Sequence, residues 1–339
     1  MENIESVSLI TLNETPEEST HEYVPHSFDD YLGQEILKNK LKLYTQAAKM
    51  RNEPLDHLLL FGPPGLGKTT LSLIMAKVMN VGIKICSGPM MERTGDLVAI
   101  LSGLSPKDIL FIDEIHRMPA HVEEVLYNAM EHFRVDVIIG QGAGAKSINL
   151  PITPFTLVGA TTQSGKISAP LRSRFGISER IDYYTDEELQ LIVLQMSEFL
   201  SMPIDTNAAL SIAQAGRGTP RIVKKIVRRI RDFAQVHNIV HVDHAITQKA
   251  LAFMGIDQDG LSSIDNLLLK KMIEVCNGGP VGLETLAALT GEDKETLEQV
   301  YEPYLMRKGY LEKTPRGRQI HFKKLPFLKQ KYFGQETLF

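Results

Sequence analysis

Between residues 25 and 184, short apolar runs alternate with stretches of helical periodicity. The runs 57–61 (HLLLF), 81–86, 109–112, 155–160 and 180–183 predict buried strands, with 57–61, 109–112 and 155–160 the most continuously hydrophobic. Buried strands separated by helices predict a parallel sheet covered on both faces. One insertion interrupts the alternation. Residues 135–139, then Gly140, Gly142 and Gly144, then 148–150, predict a β-hairpin with a glycine-rich tip. From 185 to 255 only helical periodicity is present, opened by Asp186, Glu187 and Glu188 where a helix dipole favours acids. The turn-rich stretch 255–260 (GIDQDG) predicts a linker. Beyond it, 266–275, 283–289 and 294–307 predict three helices, and 310–322 two strands around Thr314-Pro315-Arg316-Gly317. Three helices followed by a hairpin is the layout of a winged-helix domain. The predicted organisation is therefore α/β. It has an acidic, disordered tail over 1–22, a large domain over 23–184, a small helical domain over 185–255 and a winged-helix head over 258–339.

Composition adds exclusions. With 339 residues, 43% hydrophobic and 23% charged, the chain is ordinary for a globular protein. No apolar run approaches the ~20 residues of a membrane-spanning helix. The first thirty residues carry no Lys or Arg, against a secretory signal or mitochondrial presequence. Cys86 and Cys276 are too far apart in sequence to suggest a metal pair or a disulfide framework, so a reducing, cytoplasmic setting is expected. The net charge of −4 argues mildly against nucleic acid, but it averages opposite ends. Residues 1–30 carry eight acids and no Lys or Arg, whereas 301–339 carry nine Lys or Arg against three acids. A further basic run, Arg221, Lys224, Lys225, Arg228, Arg229 and Arg231, has the spacing of one helical face.

The chemistry starts at 62–69, GPPGLGKT, a full GxxxxGK[ST] match between an apolar strand and a helix. Glycines let the backbone curl so that amide hydrogens and the helix N-terminus face phosphates. Lys68 is then expected on the β- and γ-phosphates and Thr69 on Mg²⁺. The strand ILFIDE supplies Asp113 as a second Mg²⁺ ligand and Glu114 as the general base that polarises water. His116 invites comparison with DExH helicases, but no second parallel-sheet pattern follows residue 184. Thr161, in the strand end GATT, is expected to sense the γ-phosphate. Arg172 and Arg174, in PLRSRFG, are candidates for a finger that completes a neighbouring subunit's site. Arg221, in GTPR, could reach the γ-phosphate from the helical domain.

Together these pieces resemble an AAA+ ATPase. FGPPGLGKTTL, ILFIDEIHR, FTLVGATT, PLRSRFGI, RGTPRI, GGPVGLETLA and TPRGR, in this order from about 23 to 335, resemble the RuvB family more specifically. That resemblance implies an ATP- and Mg²⁺-dependent DNA translocase or helicase that drives Holliday-junction branch migration in recombination and repair. It implies a homohexameric ring on duplex DNA, with RuvA holding the junction and RuvC joining to resolve it. It assigns Tyr23, Val24, Gly65, Lys68, Thr69, Thr70, Glu131, His132, Phe133, Arg174, Tyr184 and Arg221 to the nucleotide. Arg174 becomes the trans finger and Arg221 the second sensor. Ile148 and Leu150 are assigned to the RuvA surface, and Lys313, Arg316 and Arg318 to DNA. Three positions depart from the family pattern. Val24 precedes Pro25 where Arg is usual, His132 replaces an Asp, and Lys313 replaces an Arg, keeping charge but losing bidentate geometry.

Overall fold

The computed structural model describes residues 10–11, 23–139 and 146–334. By contact these fall into two compact units, Met1–Ile192 with Gly218–Arg221, and Val193–Arg217 with Ile222–Phe339.

The first unit is built on a six-stranded sheet. Its strands are β1 (Ile10–Thr11), β2 (Leu58–Phe61), β3 (Ile83–Ser87), β4 (Ile109–Asp113), β7 (Thr156–Thr161) and β8 (Ile177–Arg180). Their spatial order is β1-β3-β4-β7-β2-β8. All pairings are parallel except β1, which adds antiparallel to β3 through Ile10 opposite Ile85. The rest of the expected tail lies outside the described residues. Helices α1 (Glu35–Arg51), α2 (Lys68–Met79), α3 (Thr94–Ser102), α4 (Ala120–His132) and α5 (Ala169–Ser173) follow or flank the strands. Leu58, Leu60, Leu110, Phe111, Leu157 and Val158 are fully buried, the outcome expected of strands with helices on both faces. Strand β7 lies between β4 and β2, so the C-terminal ends of all three converge at the point where the connections change direction.

The hairpin is β5 (Arg134–Ile139) with β6 (Lys146–Pro151), a separate two-stranded sheet. Its glycine-rich tip lies outside the described residues. One strand differs from expectation. The last strand of the sheet is Ile177–Arg180, alternating in burial, rather than 180–183. It is an edge strand with one solvated side, so it is marked by alternating burial and not by a continuous apolar run. The chain after it is held by close approach. Gly62 has φ +148°, and a Cβ there would lie 2.2 Å from the Ile181 carbonyl oxygen. Gly62→Ala is expected to cost about 1–3 kcal/mol through backbone strain, read as a fall in the melting temperature of the full chain.

The second unit holds α7 (Thr206–Ala215), α9 (His244–Phe253), the second half of α6 (Asp186–Phe199) and most of α8 (Pro220–Val236); the first residues of α6 and α8 belong to the first unit. Helix α8 buries Val223, Ile226, Val227 and Ile230 along one stripe, which puts Lys225 and Arg229 outside. The head follows with α10 (Ser263–Cys276), α11 (Leu283–Thr290), α12 (Lys294–Thr296), a π-helical turn (Leu297–Tyr301) and α13 (Glu302–Arg307). Strands β9 (Leu311–Thr314) and β10 (Gly317–Ile320) form the wing, and Val281 bridges antiparallel to Arg318. A helix not anticipated from the sequence, α14 (Leu325–Phe333), closes the head with Leu328 in a core shared with Leu268, Leu286, Leu305 and Ile320.

Candidate active site

The phosphate loop runs from the end of β2 to the first turn of α2. Gly65 and Gly67 take positive φ, and α2 begins at Lys68. Lys68 is buried, and its Nζ donates to the carbonyls of Gly62 (2.8 Å) and Pro63 (2.9 Å). Burial lowers its pKa below the usual lysine range, and Asp113 and Glu114 act in the opposite direction. Thr69 and Thr70 follow on the first turn of α2, half-buried.

Behind the loop stands a pair of tyrosines. The hydroxyls of Tyr31 and Tyr184 are hydrogen-bonded to each other at 2.6 Å, and the Leu66 carbonyl lies 3.2 and 3.3 Å from them as the shared acceptor for the remaining proton. Burial pushes the Tyr31 phenol up to about 12 and Tyr184 higher still. Tyr184 is thus a buried support of the loop, and Tyr31, which sequence reasoning missed, is its equal partner. A Cβ at Gly67 would sit 2.6 Å from the Tyr31 hydroxyl, so glycine and tyrosine fit as a pair. No motif flags Tyr31. Tyr23 is half-buried and Val24 exposed at the start of this unit.

Arg221 reaches the same place. Its amide lies 3.3 Å from the Gly65 carbonyl, and a Cβ on Gly65 would touch its side chain. The peptide of Gly218 accepts from the Tyr184 amide at 3.0 Å.

Across the sheet, Asp113 ends β4 and its Oδ1 accepts from the Glu114 amide at 3.0 Å. Glu114 has left-handed backbone, φ 46°, which turns the chain out of the strand. Its Oε2 accepts from the Thr162 amide (3.2 Å) and the Thr162 hydroxyl (3.0 Å). The expected sensor, Thr161, is fully buried and meets His116 Nδ1 at 2.8 Å instead. Strand β7 ends at Thr161, and Thr162 is the first residue beyond it. Thr162 is therefore the threonine that touches the carboxylate. The Thr69 hydroxyl and the Asp113 carboxylate are oxygen donors only, a set that suits Mg²⁺ sharing phosphate oxygens and water.

Arg174 lies elsewhere. It donates to the Pro170 carbonyl (2.8 Å), pairs with Glu131 (3.1 Å) and sits 4.9 Å over the Tyr127 ring. Its Nε is buried without an acceptor. None of these partners belongs to the phosphate loop. Glu131 and Arg174 thus share one face, with His132 exposed beside them. Phe133 does not join it. Its ring turns inward, edge-on to buried Phe155 at 6.1 Å, because the left-handed residue ending α4 reverses the chain.

The sequence matches three family descriptions in succession: the Holliday junction DNA helicase RuvB P-loop domain over 23–181, the RuvB AAA lid domain over 184–257 and the RuvB C-terminal winged helix domain over 258–329. The chain belongs to the RuvB family. It is 52% identical over 296 residues to the Holliday junction branch migration complex subunit RuvB of Lactococcus lactis, spanning 87% of this chain and 89% of that one. The same protein of Enterococcus faecalis is 52% identical over 294 residues, 87% of each. The solved structure described as the Thermotoga maritima RuvB Holliday junction branch migration motor superposes with a TM-score of 0.78 at 46% identity, covering 90% of this chain and 97% of that one.

Two further sets of expected residues remain. Ile148 and Leu150, on β6, are large apolar side chains left exposed. In the head, the three expected cations divide. Lys313 is exposed and 3.1 Å from Glu298, and Arg316 is exposed at the wing turn. Arg318 is not outward-facing: its Nε and Nη2 bond both oxygens of buried Glu302, at 2.6 and 3.2 Å, and Nη2 also meets Glu298 at 3.2 Å. On β10, residues 318 and 320 face in while 317 and 319 face out, so position in the strand commits Arg318 to the core side. Breaking a buried pair strands its partner. Arg318→Ala is therefore expected to destabilise the head by about 3–5 kcal/mol, and Arg316→Ala by under ~0.5 kcal/mol, compared by chemical denaturation.

Proposed function

We propose that the chain is an ATP-hydrolysing DNA motor that drives branch migration of Holliday junctions. The observation that carries this reading is the convergence of Lys68, Asp113, Glu114, Thr162 and Arg221 around one phosphate loop, while Arg174 points from a different face of the same unit. Such a division calls for a ring, in which each Arg174 completes the site of the next copy; the family points to six copies. Lys68, the loop amides and Arg221 bind and orient the triphosphate. Thr69 and Asp113 would hold Mg²⁺, which when bound neutralises charge on the β- and γ-oxygens. Glu114 Oε1 takes a proton from the attacking water, because the donors on this carboxylate gather at Oε2.

The exposed cations of the wing, Lys313 and Arg316, suit duplex phosphates, so binding is expected to be independent of sequence and to weaken with salt. The apolar Ile148–Leu150 surface suits RuvA, the junction-holding subunit of the branch migration complex, and RuvC would act on the same junction. The test is strand exchange on a synthetic four-way junction with ATP and Mg²⁺, with and without RuvA. ATP-dependent conversion of the junction into duplex arms is the expected result. Turnover of ATP with an intact junction in both arms would refute the reading.

A further inference from the structure

Besides Thr162, one further side chain lies against the Glu114 carboxylate. His116 sits in the 3₁₀ turn Ile115–Arg117 that follows Glu114, anchored by fully buried Ile115. Its imidazole is almost wholly enclosed, with 5% of the side chain exposed. Nδ1 lies 3.1 Å from Glu114 Oε2 and 2.8 Å from Thr161 Oγ1. Thr161 is itself fixed: it is fully buried, and its hydroxyl oxygen accepts from the Gln163 amide at 3.0 Å. The ring is thus held by the end of β7 on one side and touches the carboxylate on the other.

Glu114 Oε2 can only accept, so an attractive contact at this distance is made by the tautomer with its proton on Nδ1. In that tautomer the Thr161 oxygen accepts from the Gln163 amide with one lone pair and faces Nδ1–H with the other. Burial pushes the His116 pKa down, which keeps the ring neutral near pH 7. A neutral Nδ1–H ring donates to Glu114 without the full positive charge that would draw down the carboxylate's basicity.

We propose that His116 is a positioning residue for hydrolysis: through Nδ1–H it locks the Glu114 carboxylate, turning Oε1 to water. The proposal rests on Glu114 being the general base. With the two Thr162 donors on Oε2, from the end of β7, the ring nitrogen 3.1 Å away braces the same oxygen from the turn after β4. The carboxylate is then oriented from both strand ends at once, and loss of one anchor lets it rotate. Partners that orient a reacting group typically cost 10–100-fold in activity when removed.

The test compares His116→Leu, which keeps bulk but removes the donor, with His116→Asn, whose amide offers N–H near the Nδ1 position. Both are measured in the full chain for ATP kcat, KM and nucleotide affinity. His116→Leu is expected to lower kcat about 10–100-fold with KM and ATP affinity within about threefold, and His116→Asn to recover most of kcat. If Leu is not accommodated, His116→Ala makes the same comparison. Unchanged kcat in the donor-free variant, an equal loss in His116→Asn, or a change carried by KM alone would each overturn the proposal. Glu114→Gln is the separate control. If it retains full turnover, the general-base reading fails; if it is inactive while His116→Leu is fully active, only the positioning role of His116 fails.

Discussion

Arg174→Ala is expected to reduce ATP turnover by about 10³–10⁵-fold, or ~4–7 kcal/mol of barrier, while leaving ATP binding within a few-fold. The argument is geometric. In its own chain, Arg174 contacts Pro170, Glu131 and the Tyr127 face, none of them in the phosphate loop, and its buried Nε lacks an acceptor. A guanidinium so held supplies nothing to its own Lys68 and Asp113. Its pair with Glu131 is partly exposed and worth only ~0–1 kcal/mol, so the fold should survive its loss. Mixing decides between neighbour and self. Arg174→Ala chains keep Glu114, and Glu114→Gln chains keep Arg174. A mixed ring therefore contains interfaces with both groups intact. Recovery of turnover on mixing two inactive variants is the outcome expected of a finger acting in trans. A mixture no more active than its parts would place the finger in cis.

Lys68→Ala is expected to abolish measurable hydrolysis and to weaken ATP binding by about 10–100-fold, the worth of a charge-assisted bond of ~1.5–3 kcal/mol. The accompanying stability effect separates a ligand role from a structural one. Burial disfavours the Lys68 ammonium, and its own contacts are two loop carbonyls. Without nucleotide, removing that charge also removes a desolvation cost. The melting temperature of the nucleotide-free variant should stay level or rise, whereas added ATP should no longer raise it. A large fall in the nucleotide-free melting temperature would instead make Lys68 a structural residue.

Much of this architecture is legible in the chain because its signals are local. The phosphate loop, the ILFIDE strand and the wing each write residue type, spacing and context within about ten positions. What escapes local reading depends on direction or on partners distant in sequence. Thr161 and Thr162 are indistinguishable as letters, and only the way the chain leaves β7 decides which hydroxyl bonds Glu114. Strand alternation turns Arg318 toward Glu302, while Arg316 stays outside in the turn before β10. Phe133 looks like a ligand aromatic until a left-handed backbone residue folds it into the core. Tyr31 meets Tyr184 across 153 positions and belongs to no motif. Strand β8 begins three residues before the segment 180–183 because an edge strand has no reason to be apolar on both faces.

The four residues Gly218–Arg221 are part of the ATPase unit although the chain reaches them only after most of two lid helices, α6 and α7. Gly218 supplies the acceptor for the Tyr184 amide, and the Arg221 amide meets the Gly65 carbonyl. A fragment ending at Ile192 would lack both, leaving the backbone beside the phosphate loop without partners it normally has. The ATPase body therefore cannot be dissected intact by truncation: the lid is also the tether that delivers the final piece of the body. Limited proteolysis within the lid should accordingly silence the nucleotide site even when no residue before Ile192 is cut.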